Sequence, residues 1–407
     1  AATPGGLDWS TAVVTGSTLT ASAGNGYYIN TTSNACTITL PSSAEAGDQI
    51  VFVDYARTWA SYALILDSNG LTFQGNADTY TVDYDTAGQS LNIVYSDSTQ
   101  GWLPVSDDAV ADVPEAPQTQ RGIFGFGSTG SATGVTNLVN SSGVIASDVS
   151  AVGTARIMIA ATGYGGDKCI FRGGYDDSGI LGISNLVSNS GVVASDVSAV
   201  GVVKNANAGS AYGVGLAIFA FGITTGSTIV NTKNLINSSG VVGADTASSG
   251  TARYDLSSSE YGDDKAIFAY GRSDASTHVS LSNLVSNQGV VATDTTGVGT
   301  ARLYLAGTSY DGRNKGVFAY GTTGSVVSLK NLVSNSGVVA ADVTGVGTAR
   351  KGLSATPYGG DKAVFAYGAD DLSMSNLVSN VGVISADVSG VGTGRYYLAA
   401  AGYSYTA

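Results

Sequence analysis

The sequence predicts an all-β chain: a small N-terminal β-sandwich-like domain followed by a six-bladed β-propeller. Three observations carry this. First, a motif reading N-L-V/I-x-x-x-G-V-V/I occurs six times, beginning at Asn137, Asn185, Asn234, Asn283, Asn331 and Asn376, at spacings of 48, 49, 49, 48 and 45 residues. A fixed period of about 40–50 residues made of short β-type runs marks a propeller or β-solenoid. Second, 56 glycines, 22 tyrosines and only 12% charged residues favour many short strands joined by tight turns. Third, residues 121–150 supply the last three strands of a repeat, whereas the chain ends on a lone first strand, Gly394 to Gly402. That phase predicts a three-plus-one closure by the C-terminal strand, which leaves no exposed sheet edge.

Each repeat divides into four strand-like runs. Strand a starts at a basic residue, as in GTARLYLAG (Gly299 to Gly307). A turn such as YGGDK leads to strand b, whose Phe falls at Phe124, Phe171, Phe219, Phe268, Phe318 and Phe365. Strand c holds the N-L-V run, and strand d reads GVVASDV or a near variant. Runs that are short, alternating or apolar and bounded by Gly, Asn, Asp or Ser read as hairpin-connected strands, four to a blade. The order of basic start, small apolar strand, turn, aromatic strand ending in Gly and two outer strands resembles the kelch repeat over residues 121–407. Two departures stand out: the Gly pair closing strand b survives only at Gly173 and Gly174, and the outer-strand Trp is missing. The resemblance implies architecture and transfers no activity.

Ahead of the repeats, residues 1–20 read as an N-terminal arm, 21–105 as a non-repeating β domain and 106–120 as an acidic, Pro-containing linker. Strands are expected at Gly26 to Thr32, Ala35 to Pro41, Gln49 to Tyr55, Ala63 to Ser68, Thr79 to Tyr84 and Ser90 to Asp97, with Thr99 to Val105 closing the stretch. The runs GNGYYINTTS, TITLPSS, FVDYARTW, ILDSNGLTFQG and TQGW, in that order, resemble a small β domain of tailed-phage fibre and appendage proteins. The repeats YGGDKAIFAYG and NLVSNSGVVA are similar to those in virion proteins of phages of marine bacteria, cyanophage-type appendages included. That resemblance implies a particle-surface role and an oligomer, a homotrimer by analogy.

Composition excludes several functions. Residues 1–120 carry thirteen acids against Arg57 alone, while residues 121–407 nearly balance with eighteen acids and seventeen bases. Nucleic-acid binding needs Lys and Arg for phosphate, so it is not expected. No run of eighteen apolar residues occurs, so no membrane insertion is expected. Cys36 and Cys169 each sit in a strand-like run and read as buried free thiols. His278 is the only histidine, which removes His-based triads and most zinc sites. No catalytic residue, metal or cofactor is expected.

Two sets of repeat residues are candidates for recognition or framework. An Asp ends strand d in every copy: Asp148, Asp196, Asp245, Asp294, Asp342 and Asp387. A basic residue follows eight positions later: Arg156, Lys204, Arg253, Arg302, Arg350 and Arg395. These form either two charged rings at a channel mouth or a repeated Asp–Arg bridge across the d–a turn. Six-fold repetition favours the bridge. KNANAG in place of an apolar strand a suggests relaxed packing in the second copy. The loops between strands b and c differ in length and content, offering Tyr175, Asp176, Asp177, Asp274, His278, Asp370 and Asp371 as candidate recognition residues. Strand alternation places them on the same face as the d–a loops.

The expected function is a virion surface protein, a tail fibre, spike or appendage. Its N-terminal domain would engage other virion proteins, and its propeller a host glycan or outer-membrane protein. A capsid decoration without receptor binding and a secreted bacterial adhesin are the alternatives. A glycan-active enzyme is the reading the residues support least, because nothing marks a carboxylate pair.

Overall fold

The computed structural model describes residues 6–76, 81–107, 119–198 and 200–407. Strands fill both parts of the chain, and the described residues contain no helix. The chain divides into two compact units, residues 1–115 and 116–407.

The first unit has two sheets. One takes Asp8–Trp9, Asn25–Ile29, Gln49–Asp54, Ser90–Tyr95 and Trp102–Ser106 in that spatial order; the other takes Thr18–Thr20, Cys36–Thr39, Leu64–Asp67 and Thr81–Tyr84. Up to Asp67 the chain alternates between the sheets, and neighbours within each sheet run parallel. Between them lies a core that includes Ile38, Phe52, Trp59, Leu66, Ile93 and Trp102. Two sheets share this one core, and two segments of the supposed arm, Asp8–Trp9 and Thr18–Thr20, are strands of those sheets. Both are too short to show periodicity. Of the expected Thr79 strand, positions 81–84 are described and 79–80 lie outside the described residues. The linker expectation falls mostly on residues 108–118, likewise outside them.

Among the described residues the second unit holds two two-stranded sheets, Tyr175–Asp176 with Gly179–Ile180 and Lys204–Asn205 with Ile223–Thr224, and six sheets of three or four strands, one per repeat. Their inner strands a are Ala160–Tyr164, Ala208–Tyr212, Ser257–Tyr261, Ala306–Tyr310, Ser354–Tyr358 and Ala399–Tyr403. The last pairs antiparallel with the first strand b, Arg121–Gly125, in the register Arg121 to Tyr403 and Gly125 to Ala399. Strands b and c follow antiparallel in each of the six. The expected strand d is reduced. It is held by pairs of isolated bridges, such as Ser282 to Thr295 and Val285 to Val291, and only Val197–Ser198 forms a d strand proper. The motif Asn ties this segment to strand c in every copy. Asn283 donates Nδ2–H to the carbonyl of Ala292 at 3.0 Å, where a backbone rung would otherwise stand. Asn137, Asn185, Asn234, Asn331 and Asn376 do the same nine positions on.

The motif glycine has two jobs. At Gly143, Gly191, Gly240, Gly289, Gly337 and Gly382 φ lies between 74° and 81°, which strains any residue with a β-carbon. A β-carbon there would also stand 2.6–2.8 Å from the tyrosine ending strand a of the preceding sheet. Tyr403 covers Gly191, Tyr164 covers Gly240, and the series ends with Tyr358 covering Gly143.

Candidate functional site

Each basic residue of the repeat is buried where two sheets meet. Arg302 donates Nε–H to the carbonyl of Tyr320 at 2.9 Å and Nη2–H to Asn331 Oδ1 at 2.6 Å, inside its own repeat. Its guanidinium lies 4.3 Å over the Tyr270 ring of the preceding repeat. Arg156 on Phe126, Arg253 on Phe221, Arg350 on Tyr320 and Arg395 on Tyr367 repeat that stacking at 4.1–4.3 Å. All five arginines are 0–1% exposed, so they form no charged ring at an opening. Burial lowers their pKa, that of Arg156 and Arg253 to about 10, and leaves them charged at neutral pH.

The Asp series is framework too. Asp342 Oδ2 accepts from the backbone N–H and hydroxyl of Thr300, and Oδ1 accepts from Asn331 Nδ2. Thr154, Thr251, Thr348 and Thr393 hold Asp196, Asp294, Asp387 and Asp148 in the same way. The expected Asp–Arg bridge across the eight-residue turn is replaced by a longer connection. Arg302 faces Asp342 at 3.8 Å, and Arg253 faces Asp294 at 3.9 Å, each at the far end of the same repeat. Spacing alone suggested the nearer partner; pairing of strands a to d decides for the farther one. Neighbouring sheets are stitched by the arginine–aromatic stacks instead.

One junction departs from the rest, and it is compensated. Gly173 stands where the other repeats place the stacked aromatic, and Lys204 replaces the arginine. The vacated place is filled by Arg172, which donates Nη1–H to Asn234 Oδ1 at 3.1 Å and approaches the Phe219 ring at 5.7 Å. Lys204 Nζ turns to the carbonyl of Thr232 at 3.0 Å and faces Asp245 at 3.7 Å. Burial brings its pKa down to about 8. The expected relaxation of packing in this copy is therefore a swap of partners: Lys204, Ala206 and Ala208 are all buried.

Variation is concentrated beside this constant frame. Two positions after each basic residue stand Met158, Ala206, Asp255, Tyr304, Gly352 and Tyr397, a different surface in almost every copy. All six adopt left-handed φ, between 50° and 66°. Their backbones form a continuous series of hydrogen bonds: Ala206 donates to Met158, Asp255 to Ala206, Tyr304 to Asp255, Gly352 to Tyr304, Tyr397 to Gly352, and Met158 to Tyr397, at 2.7–3.3 Å. The resulting rim borders a cavity of about 80 Å³. A larger cavity of about 220 Å³, bordered by all six strands a, lies at the a–b turns.

The rim is chemically lopsided. Above Gly352, whose missing side chain leaves room, the rings of Tyr304 and Tyr397 meet at 4.9 Å, and Tyr396 packs edge-on to Tyr397 at the same distance. Next to Tyr304 in the rim, Asp255 is buried and accepts from Arg272 Nε at 2.8 Å. Arg272 also lies 4.3 Å over Tyr254 and donates to the Tyr304 hydroxyl at 3.3 Å. Burial raises the Asp255 pKa to about 6, against the pull of Arg272 and Tyr304.

The expected recognition loops adjoin this rim. Tyr175 bridges Ile157, and Arg272, which heads the loop containing Asp274 and His278, bridges both Tyr254 and His278. Asp176 and Asp274 are used locally. Asp176 Oδ1 accepts from Ser178 and Gly179, and Asp274 Oδ1 from Ser276 and Thr277, which lowers the Asp274 pKa to about 2. Asp370 and Asp371 shape their turn with φ of 68° and 53°. The carbonyl of Asp371 would lie 1.7 Å from a β-carbon at Gly394, so b–c and d–a loops do share a face. Sequence reasoning missed Tyr254, Asp255, Arg272, Tyr304, Tyr396 and Tyr397. The signal was available for the rim positions: after G-T-A-R, or G-V-V-K and G-T-G-R in two copies, the next two residues differ between copies, before an apolar residue returns in five of them. Among the described residues no cluster of metal ligands occurs. In comparisons with known proteins, no family model and no curated protein matches this chain.

Proposed function

We propose that residues 121–407 are a closed six-bladed β-propeller of kelch-like type, serving as a non-enzymatic recognition module on the surface of a phage particle. The rim of Met158, Ala206, Asp255, Tyr304, Gly352 and Tyr397 is its contact surface. One observation carries this reading. Six copies hold their buried Asn and basic residues, and the Asp and Thr bonded to each other beside them, almost constant while the paired positions at one opening change in every copy. A scaffold under purely structural demand has no reason to vary a left-handed backbone position and the loops beside it while the buried frame stays fixed. The hydrogen-bond series returning from Tyr397 to Met158 and the pairing of Arg121–Gly125 with Ala399–Tyr403 support closure.

The first unit fits attachment to other virion proteins and self-association as a homotrimer. Its exposed Trp9, Tyr28 and Tyr55 form a run of ring contacts at 5.0 and 6.5 Å, the composition of a docking surface. Full-length protein, fluorescently labelled, is expected to adhere to susceptible strains within a panel of marine bacteria, cyanobacteria included. Exchange of the rim residues between two related propellers should change which strains are bound. Absence of adhesion by folded protein across the panel would sink the reading.

A further inference from the structure

We propose that the rim takes a single pyranose unit of a glycan, stacked on the Tyr304–Tyr396–Tyr397 cluster with its hydroxyls at the adjoining Arg272–Asp255 pair. This rests on the recognition reading above and adds the ligand class. A pyranose presents an apolar C–H face and an equatorial fringe of hydroxyls. Its receptor therefore needs a flat aromatic surface beside fixed groups that both donate and accept. Tyr304, Tyr396 and Tyr397 are half-buried, leaving ring area open, each ring is braced by another, and the Tyr304 hydroxyl is held by Arg272. Arg272 has its Nε committed to Asp255 and its Nη2 to the Tyr304 hydroxyl, while Nη1 makes only a 3.5 Å contact with Ala275 O. A planar guanidinium fixed through Nε and Nη2 presents Nη1 in a set direction, preorganised to donate to a sugar hydroxyl or carboxylate.

Competing ligand classes fit less well. A cation would meet Arg272 already stacked on Tyr254 and Tyr304. A nucleic acid would face the loop carboxylates Asp274, Asp370 and Asp371 with only Arg272 and Lys351 on the variable segments. A peptide needs a groove, whereas the cavity behind the rim is about 80 Å³, room for the edge of one ring. Hydrolysis would need a second carboxylate about 5–10 Å from the first; Asp255 is the one acid among the six rim positions, and it is ion-paired.

The test is saturation-transfer NMR on the full-length protein with glucose, galactose, mannose, N-acetylglucosamine and glucuronate. At least one sugar should receive saturation, strongest on the protons of one ring face. Tyr397→Ala and Tyr304→Ala should weaken that binding at least ten-fold, and Arg272→Lys should weaken it while retaining the charge. Each variant should keep the thermal transition of the parent, which separates lost binding from lost fold. If no sugar in the panel binds, or if Tyr397→Ala binds as the parent does, the inference is overturned. Loss of cell adhesion in the tyrosine variants without sugar binding would reject the ligand class and leave the recognition reading standing. Sugar binding without adhesion to any strain would do the reverse.

Discussion

Arg395 donates its Nε–H to the carbonyl oxygen of Phe126 at 2.8 Å, across 269 positions of sequence. The same bond in the second, fourth and sixth repeats joins residues 17 positions apart, Arg156 to Gly173, Arg253 to Tyr270 and Arg350 to Tyr367. The contact between the two ends of the unit is therefore built from the same parts as its interior. Arg395 also stacks on Tyr367, so one buried guanidinium joins the first and sixth sheets. A buried cation held by several carbonyls and a ring face cannot be lost without leaving those groups unpaired.

The exchanged junction should behave as a coupled unit. Arg172→Ala leaves Asn234 Oδ1 and the Val200 carbonyl without their donors and should cost about 2–4 kcal/mol. Lys204→Arg alone should also destabilise, because the space of the usual arginine is already filled by Arg172. Together the two changes should cost less than the sum, by about 1 kcal/mol or more. Urea unfolding of the four proteins in a double-mutant cycle checks this; strict additivity would show that Arg172 does not stand in for the missing arginine.

Two glycines separate backbone strain from packing. Gly130 has φ of 95° with open space where a β-carbon would go; Gly191 has φ of 80° with Tyr403 at 2.7 Å from that position. Gly130→Ala should cost about 1 kcal/mol from the left-handed backbone alone. Gly191→Ala should cost about 2–3 kcal/mol, because Tyr403 must also move. Equal shifts in thermal midpoint for the two variants would refute the second role of the motif glycine.

Stability should depend on pH in two opposing ways. For Asp148, Asp196, Asp294, Asp342 and Asp387, partial burial raises the pKa, but hydrogen bonds from Thr and Asn and the nearby Arg outweigh it, and the native value is lowered. Their contribution is present above the ordinary carboxylate range and lost as pH falls through the depressed native values. Asp255 has the opposite sign. Raised from 3.8 to about 6, its native carboxyl holds a proton that the unfolded chain has released, so stability falls as pH rises between those values. Asp255→Asn should therefore flatten the profile between pH 4 and 6 and leave the acid limb intact. Denaturant midpoints across pH 3–8 provide the measurement, and an unchanged slope between pH 4 and 6 in the variant would contradict the assignment.

The repeats, the strand b phenylalanines and the phase of the terminal strand were legible because each is a local pattern multiplied six times. The Asp and basic residues were legible as positions but not as partners. Asp342 takes its hydroxyl donor from Thr300 and its guanidinium neighbour from Arg302, roughly forty positions away, whereas a linear reading prefers the residue eight places off. The short strands Asp8–Trp9 and Thr18–Thr20 were hidden for a related reason. Two or three residues carry no period, and only the sheet beside them makes them strands.

By itself, the sequence determined an all-β chain of six like units, because the spacing of apolar runs and turn glycines is a property of the local backbone. Tertiary structure alone decided which side chains face one another: that Tyr304 and Tyr397 meet over Gly352, and that Arg272 reaches Asp255. Those contacts join different repeats or opposite ends of one. Where such side chains come to rest is set by sheet pairing and close packing, which no single segment encodes.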